Sequence, residues 1–310
     1  MARDAATAAQ AGADTAGAEE AGAVGLRPLP TLDDRPLRPF IKWAGGKTRL
    51  LKRLLPHVPE SFRAYHEPFL GGGAMFFAVR DRGNGTAHLS DLNEDLINAW
   101  TAVRDHEKEL QRLLRRYKSC DSKDFYYEQR PLQPADPLER AARFIYLNQT
   151  SWNGLWRVNR RGEFNVPWGQ RPFRGLSSAD LLTYRAALRH ARIHLADFRE
   201  ALDRPRKGDF VYLDPPYLPL SDTSKFFLYT EKRFREPDLR ELAACCEDLT
   251  KRGVSWMLSN RDTPLVRELF AHARIVGLTA RRSVAAQNQR DVEAVDSPEV
   301  IVVGPERTRG

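Results

Sequence analysis

The chain has 310 residues, 42% hydrophobic content, a net charge of +8 and a sequence pI near 9.5, which suits one large or two modest globular domains with a real core. No stretch approaches the roughly 18 to 20 apolar residues of a membrane span, so a membrane location is disfavoured. The three cysteines, Cys120, Cys245 and Cys246, come without a Cys-x-x-Cys or matching histidine pair, which points to a reducing cytoplasm and to no structural metal.

Residues 1–37 are rich in Ala and Gly, lack aromatics, and carry three basic against six acidic residues. They read as a disordered tail, and not as a signal peptide, because a basic start and an apolar core are missing. Removing the tail's net −3 from the chain's +8 leaves +11 on the rest, as expected for a polyanionic partner or for a basic surface kept for solubility. Phe40 to Trp43 is a short apolar lead-in to Ala44-Gly45-Gly46-Lys47-Thr48. The Gly-Lys-Thr is not a phosphate loop, because the position five before Gly46 is Ile41 rather than glycine. A strand is expected over 64–69, a helix over 74–80, a strand over 86–89 and a helix from about Asn93. From about 117 to 178 the alternation stops, with a helix over 138–147 in an otherwise irregular stretch. It resumes with strands near 192–196 and 210–213, a helix around 238–252, a strand over 254–258, a helix over 264–272 and strands near 275–278 and 299–303. The fold class is α/β: an open Rossmann-like sheet interrupted by a mainly helical module. The expected parts are a tail at 1–37, a cofactor-binding part at 38–116, a target-recognition insertion at 117–178 and an active-site part at 179–310.

In open α/β sheets ligands bind beyond the carboxyl ends of the strands. Here Glu67, Pro68 and Phe69 run into Gly71 and Gly73, and the next strand ends at Asp91. A dinucleotide fingerprint would need glycine where Phe76 stands. S-adenosylmethionine, which has no pyrophosphate, fits better, with Asp91 on its ribose diol or, in the plainer reading, capping the next helix. After the apolar run 210–213 come Asp214, Pro215, Pro216 and Tyr217. An exocyclic amine conjugated to a purine ring is a poor nucleophile. Asp214 and the Pro215 carbonyl can each accept one of its N–H groups, and Tyr217 offers a face for an extruded base. The same tetrapeptide also suits an ordinary turn.

These blocks together resemble the Dam-type DNA adenine methyltransferases from Phe40 to about Val303. The matching blocks are Lys42 to Lys47, Glu67-Pro68-Phe69 with its glycines, Ser90 to Asn93, Trp152 to Leu155 with Arg157, Arg161 to Pro167, Ala196-Asp197-Phe198, and Asp214 to Tyr217. The resemblance implies that the sheet is that of the S-adenosylmethionine-dependent methyltransferases with an inserted DNA-recognition module, and direct in-line methyl transfer from S-adenosylmethionine to the 6-amino group of a flipped adenine in a short GATC-like duplex site. It implies that Trp43 and Lys47 meet the cofactor's methionine end and that Asp197 and the Phe198 backbone read its adenine. Trp152 and Asn153 would belong to the reading loop, Trp152 as an aromatic that enters the base stack. Arg157 would read a guanine, and Leu155 and Pro167 would touch neighbouring bases or serve as core and turn residues. Five arginines (157, 160, 161, 171, 174) against the single acid Glu163, interleaved with aromatics, suit a groove-facing loop better than a merely solvated face. A cognate restriction endonuclease acting on the same site is a possible partner. Methylation of carbon 5 of cytosine is disfavoured by the lack of a cysteine after proline. A 4-amino cytosine methyltransferase, a protein glutamine methyltransferase and an inert DNA-binding regulator on the same scaffold are the remaining alternatives.

Overall fold

The computed structural model describes residues 37–83, 86–159, 161–218, 234–281 and 296–305. The expected tail, apart from Leu37, and Arg160 therefore lie outside the described residues. Leu37 itself packs half-buried against the core. Seven strands form one sheet: β1 (Tyr65–Glu67), β2 (Ala87–Asp91), β3 (Ala191–Leu195), β4 (Phe210–Leu213), β5 (Ser255–Arg261), β6 (Arg274–Arg281) and β7 (Asp296–Val303). Their order across the sheet is β3-β2-β1-β4-β5-β7-β6, with β7 antiparallel to both neighbours and the first five strands parallel.

The helices are α1 (Leu51–Leu54), α2 (Ala74–Val79), α3 (Glu94–Asp105), α4 (Glu107–Cys120), α5 (Lys123–Gln129), α6 (Pro137–Thr150), α7 (Ser178–Leu188), α8 (Phe198–Leu202), α9 (Glu236–Lys251) and α10 (Pro264–Leu269). Both faces of the sheet are covered, which is why its strands read as near-continuous apolar runs. The period-two alternation sorts them. Phe210, Tyr212, Met257 and Ile301 join the core under α3 to α7, whereas Val211, Leu213, Trp256, Leu258 and Val300 join the core under α9 and α10. The stretch 117–178 begins inside α4 and shares the first core through Tyr126, Phe144, Tyr146, Phe164 and Phe173. Its irregular appearance has a physical cause. α5 spans only two turns, and the described residues between α6 and α7 hold only a three-residue 3-10 turn and isolated bridges.

From β1 the chain proceeds to β2 and then β3 on one side, whereas from β4 it proceeds to β5 on the other. The carboxyl ends of β1 and β4 therefore flank a topological switch point, the place where such sheets bind ligands.

Candidate active site and nucleic-acid interface

Asp214 follows the last residue of β4, so its carboxylate sits at the switch point beside β1. Oδ1 accepts from Lys47 Nζ at 2.5 Å and from Ser259 Oγ at 3.0 Å. Ser259 in turn is 2.9 Å from the Tyr212 hydroxyl. Among the described residues no hydrogen bond falls on Oδ2, so one oxygen is held and the other is available to an incoming donor. Burial pushes the Asp214 carboxyl above the usual range, and the Lys47 ammonium and the Ser259 hydroxyl work against that rise. Lys47 is 4% exposed and also donates to the Gly45 carbonyl at 2.9 Å. The Gly45–Gly46 turn, with Gly45 at φ +81°, brings this ammonium under the active loop. Pro215 is buried, Pro216 exposed and Tyr217 half-buried, with the Tyr217 ring 5.1 Å from Lys47 Nζ and 5.9 Å from the Arg261 guanidinium. Ser259 and Tyr212 escape a sequence reading because the β4–β5 register that aligns them with Asp214 is not written in either strand. The signal was a polar pair, Ser259-Asn260, inside an otherwise apolar strand.

Glu67 closes β1, and its Oε2 accepts from the Tyr65 hydroxyl at 2.8 Å and from Phe76 N–H at 3.2 Å. Burial pushes its carboxyl up to about 8, the Tyr65 hydrogen bond opposing that rise. Through these two hydrogen bonds Glu67 pins β1 to α2. Pro68 is buried, and Phe69 stacks on Phe198 with centroids 5.6 Å apart. Gly71 and Gly73 have φ of +47° and +66°, and a Cβ would stand 2.5 Å from the Trp43 ring at Gly71 and 2.5 Å from the Trp100 ring at Gly73. Within the protein these two glycines admit indole rings. Trp100 Nε1 donates to the Gly71 carbonyl at 3.2 Å, which fixes the loop.

At the end of β2 the two Asp91 oxygens accept from Gly71 N–H and Asn93 N–H, each at 3.0 Å. The cap of α3 is Asn93, which accepts from Leu96 N–H. Asp91 therefore tethers the glycine loop rather than capping the helix. Burial raises its carboxyl, and the backbone N–H groups of Gly71, Asn93 and Leu92 work against that rise. Asp197 follows β3, caps α8 through Arg199 N–H and pairs with the Arg199 guanidinium at 3.0 Å.

The stretch around Arg157 is a small hairpin on a packed base. Val158 bridges Phe164, Arg157 C=O accepts from Asn165 N–H at 3.1 Å, and Gly162 N–H closes the turn onto Asn159 C=O. Arg157 Nε donates to Asn165 Oδ1 at 2.8 Å, leaving both terminal nitrogens clear of that bond. The neighbouring aromatics do not face the groove as their composition suggests. Trp156 packs on Phe144 and Phe164 with centroids 4.1 and 4.7 Å away, and Phe164 and Phe173 are buried. Trp152 and Leu155, by contrast, are exposed at 37% and 39%, and Pro167 is exposed, its carbonyl accepting from Trp152 N–H. Asn153 takes a left-handed φ of +54°, which asparagine tolerates, and turns the chain between them.

One residue beyond the sequence reading joins the two regions. Asn148, 1% exposed on α6, accepts from Lys42 N–H at 2.9 Å and donates to Lys42 C=O at 2.8 Å and to Gly154 C=O at 3.3 Å. A buried polar side chain at the end of an apolar helical run was its signal.

Cys120 is exposed, Cys245 half-buried and Cys246 buried, all free thiols. Among the described residues no cluster of His, Cys, Asp or Glu has the arrangement to hold a metal, and no helix is long and apolar enough to cross a membrane.

The family model described as D12 class N6 adenine-specific DNA methyltransferase matches residues 43–284. The type II methyltransferase M1.LlaDCHI of Lactococcus lactis subsp. cremoris is 36% identical over 261 residues, covering 81% of this chain and 91% of that protein. The type II methyltransferase M.MjaIII of Methanocaldococcus jannaschii is 33% identical over 279 residues, covering 84% and 96%. The DNA adenine methylase of Escherichia coli K12 is 32% identical over 253 residues, covering 80% and 90%. The family match spans both the Lys47–Asp214 pair and the arginine hairpin, and so the chain belongs to the D12 class N6 adenine-specific DNA methyltransferases.

Proposed function

We propose that the chain uses S-adenosylmethionine to methylate the 6-amino group of an adenine flipped out of a short, GATC-like duplex site. One observation carries the mechanism: Asp214 has Oδ1 held by Lys47 and Ser259, while no described partner takes Oδ2. An amine N–H donates to Oδ2 and the other N–H to the Pro215 carbonyl, which leaves the nitrogen lone pair facing the donor. Tyr217 supports the flipped ring, whose extrusion costs a few kcal/mol. The donor residues fit S-adenosylmethionine by their chemistry. Lys47 offers a cation for a carboxylate, Asp91 is an acceptor for a diol, and Asp197 and Phe198 follow β3, with Phe69 from the end of β1 stacked on Phe198. Trp43, Gly71 and Gly73 line the intervening loop together with Glu67 and Pro68. When bound, S-adenosylmethionine supplies an electrophilic methyl group on a sulfonium. Positioning and preset hydrogen bonds then set the rate, with no covalent enzyme intermediate. In the hairpin, Arg157 held by Asn165 reads a guanine, Leu155 and Pro167 touch bases, and Trp152 with Asn153 enters the gap left by the flipped base. A cognate restriction endonuclease that cuts the same site when it is unmethylated, and a cytoplasmic setting, complete the reading.

The test is methyl transfer from labelled S-adenosylmethionine to duplexes with and without GATC, followed by sequencing of methylated positions. Adenine in GATC should take the label, and Asp214→Ala should abolish transfer while duplex affinity stays within about twofold, since Asp214 orients the amine and touches little backbone. An active Asp214→Ala enzyme, or label on cytosine, overturns the proposal.

A further inference from the structure

Beside the hairpin a run of cations leaves the reading face and crosses onto α4. Lys42 is packed against the reading loop: a Cβ at Gly154 would stand 2.6 Å from its Cδ. Burial first, then Arg171 and Arg174, lower the Lys42 ammonium, so the two guanidinium groups lie within electrostatic reach of it. Arg174 shares one groove with Arg115 and Lys118 of α4, floored by Leu114 and walled by the backbone of 175–178. The walls are built. Gln149 holds Gly175 by two hydrogen bonds of 3.1 and 3.3 Å, one to its N–H and one from its side chain to the carbonyl, and Leu114 is 2% exposed.

The charge in this groove is uncompensated. Arg112 and Arg116 on the same helix have carboxylate partners, Glu109 at 3.9 Å and Glu139 at 2.7 Å. Among the described residues Arg115, Lys118, Arg171 and Arg174 form no ion pair, and all four side chains are exposed. The nearby acid Asp180 is turned back on Ser177 in a capping box. Like charges gathered along a groove without counter-charges repel one another, and an incoming polyanion relieves that repulsion. The sugar-phosphate backbone of duplex DNA has the required charge density, about one charge per 1.7 Å of axis.

We infer that the groove of Arg115, Lys118 and Arg174 is a second, sequence-independent DNA surface that grips the backbone flanking the target site, continuous with the reading face through Lys42 and Arg171. This rests on the reading of the hairpin as the target-binding face. It assigns α4 a role in affinity and search rather than in specificity, because phosphate contacts position a protein without reading bases.

The experiment compares the full chain with the Arg115→Gln/Lys118→Gln variant on GATC-centred duplexes of about 12 and about 30 base pairs and on a GATC-free duplex of about 30, binding being measured by anisotropy across a salt series. Wild type should bind the long duplexes more tightly than the short one. The variant should lose about three- to tenfold on both long duplexes, with a salt slope lower by about two. On the short duplex its affinity and turnover should be unchanged, and Arg115→Lys should behave as wild type. Equal losses on short and long duplexes, or an unchanged salt slope, overturn the inference. Failure of the hairpin reading would show separately, as loss of GATC preference in wild type itself.

Discussion

At the scale of single residues the site turns on one ammonium. Lys47 is the largest influence holding the Asp214 carboxyl down against burial, and it lies 2.5 Å from Oδ1. An ionised carboxylate accepts an amine N–H more strongly than a protonated carboxyl, whose O–H would also oppose it, so activity should fall as pH drops through the Asp214 titration. Lys47→Met removes that opposing charge, and the carboxyl then rises further. At saturating donor, the acid limb of the kcat profile should therefore move to higher pH in Lys47→Met, beyond any loss of donor affinity. An acid limb at the wild-type position would mean that Lys47 serves the donor alone. Arg157 makes the complementary test for reading. With Nε tied to Asn165, its terminal nitrogens are placed for a bidentate contact, worth about 1 to 3 kcal/mol of discrimination. Arg157→Ala should relax preference at one base pair of the site, while Arg171→Ala should weaken all duplexes alike. Turnover on every single-base variant of the site decides it, and uniform losses for both would make Arg157 a phosphate anchor.

At the scale of elements, the strands and the helices α2, α3, α6, α9 and α10 were legible because strands buried on both faces give apolar runs and helices give 3.6-residue stripes, whereas α1, α4, α5, α7 and α8 were not read. The strand 210–213 and the helices near 238 and 264 follow from that pattern alone. What side chains do across elements was not legible. Trp156, Phe164 and Phe173 carry no mark in the sequence separating a ring that meets DNA from one that anchors a loop, yet their packing on Phe144 and Tyr146 decides it. Ser259 reaches Asp214 only through the β4–β5 register, and Asn148 spans 106 residues to Lys42. Asn148 ties the loop that leads to Lys47 to the loop of Trp152 to Leu155. Asn148→Ala deletes three hydrogen bonds and leaves the Lys42 and Gly154 carbonyls without that donor, at a cost of about 1 to 3 kcal/mol in stability. It should also raise the KM for S-adenosylmethionine and loosen site preference together. A variant destabilised in urea yet unchanged in both kinetic readouts would make Asn148 a core residue only.

At the scale of the whole molecule, three histidines on neighbouring strands link stability to pH. His66, His88 and His194 lie on β1, β2 and β3, with ring centroids 4.7 Å apart for the first pair and 6.2 Å for the second, nearly parallel in both. Asp209 holds His66 at 3.1 Å and Arg204 approaches His194 at 3.2 Å. The central ring has neither aid: among the described residues His88 Nδ1 is buried without a hydrogen-bond partner. Burial, then His66, His194, Arg192 and Arg204, push the His88 imidazole down to about 4. The unfolded chain takes up this proton near pH 6.5, the folded one only near 4. The stability from His88 is therefore fully present above about pH 6.5 and is lost as pH falls from there towards 4, by at most about 1.4 kcal/mol per pH unit. His88→Gln keeps a polar side chain of similar reach and removes the titration. Urea midpoints at pH 7 and pH 5 should fall further for wild type than for His88→Gln, with equal m-values, so that the variant overtakes or closes on wild type in acid. Parallel losses in the two proteins would place the acid sensitivity elsewhere, among the paired carboxylates.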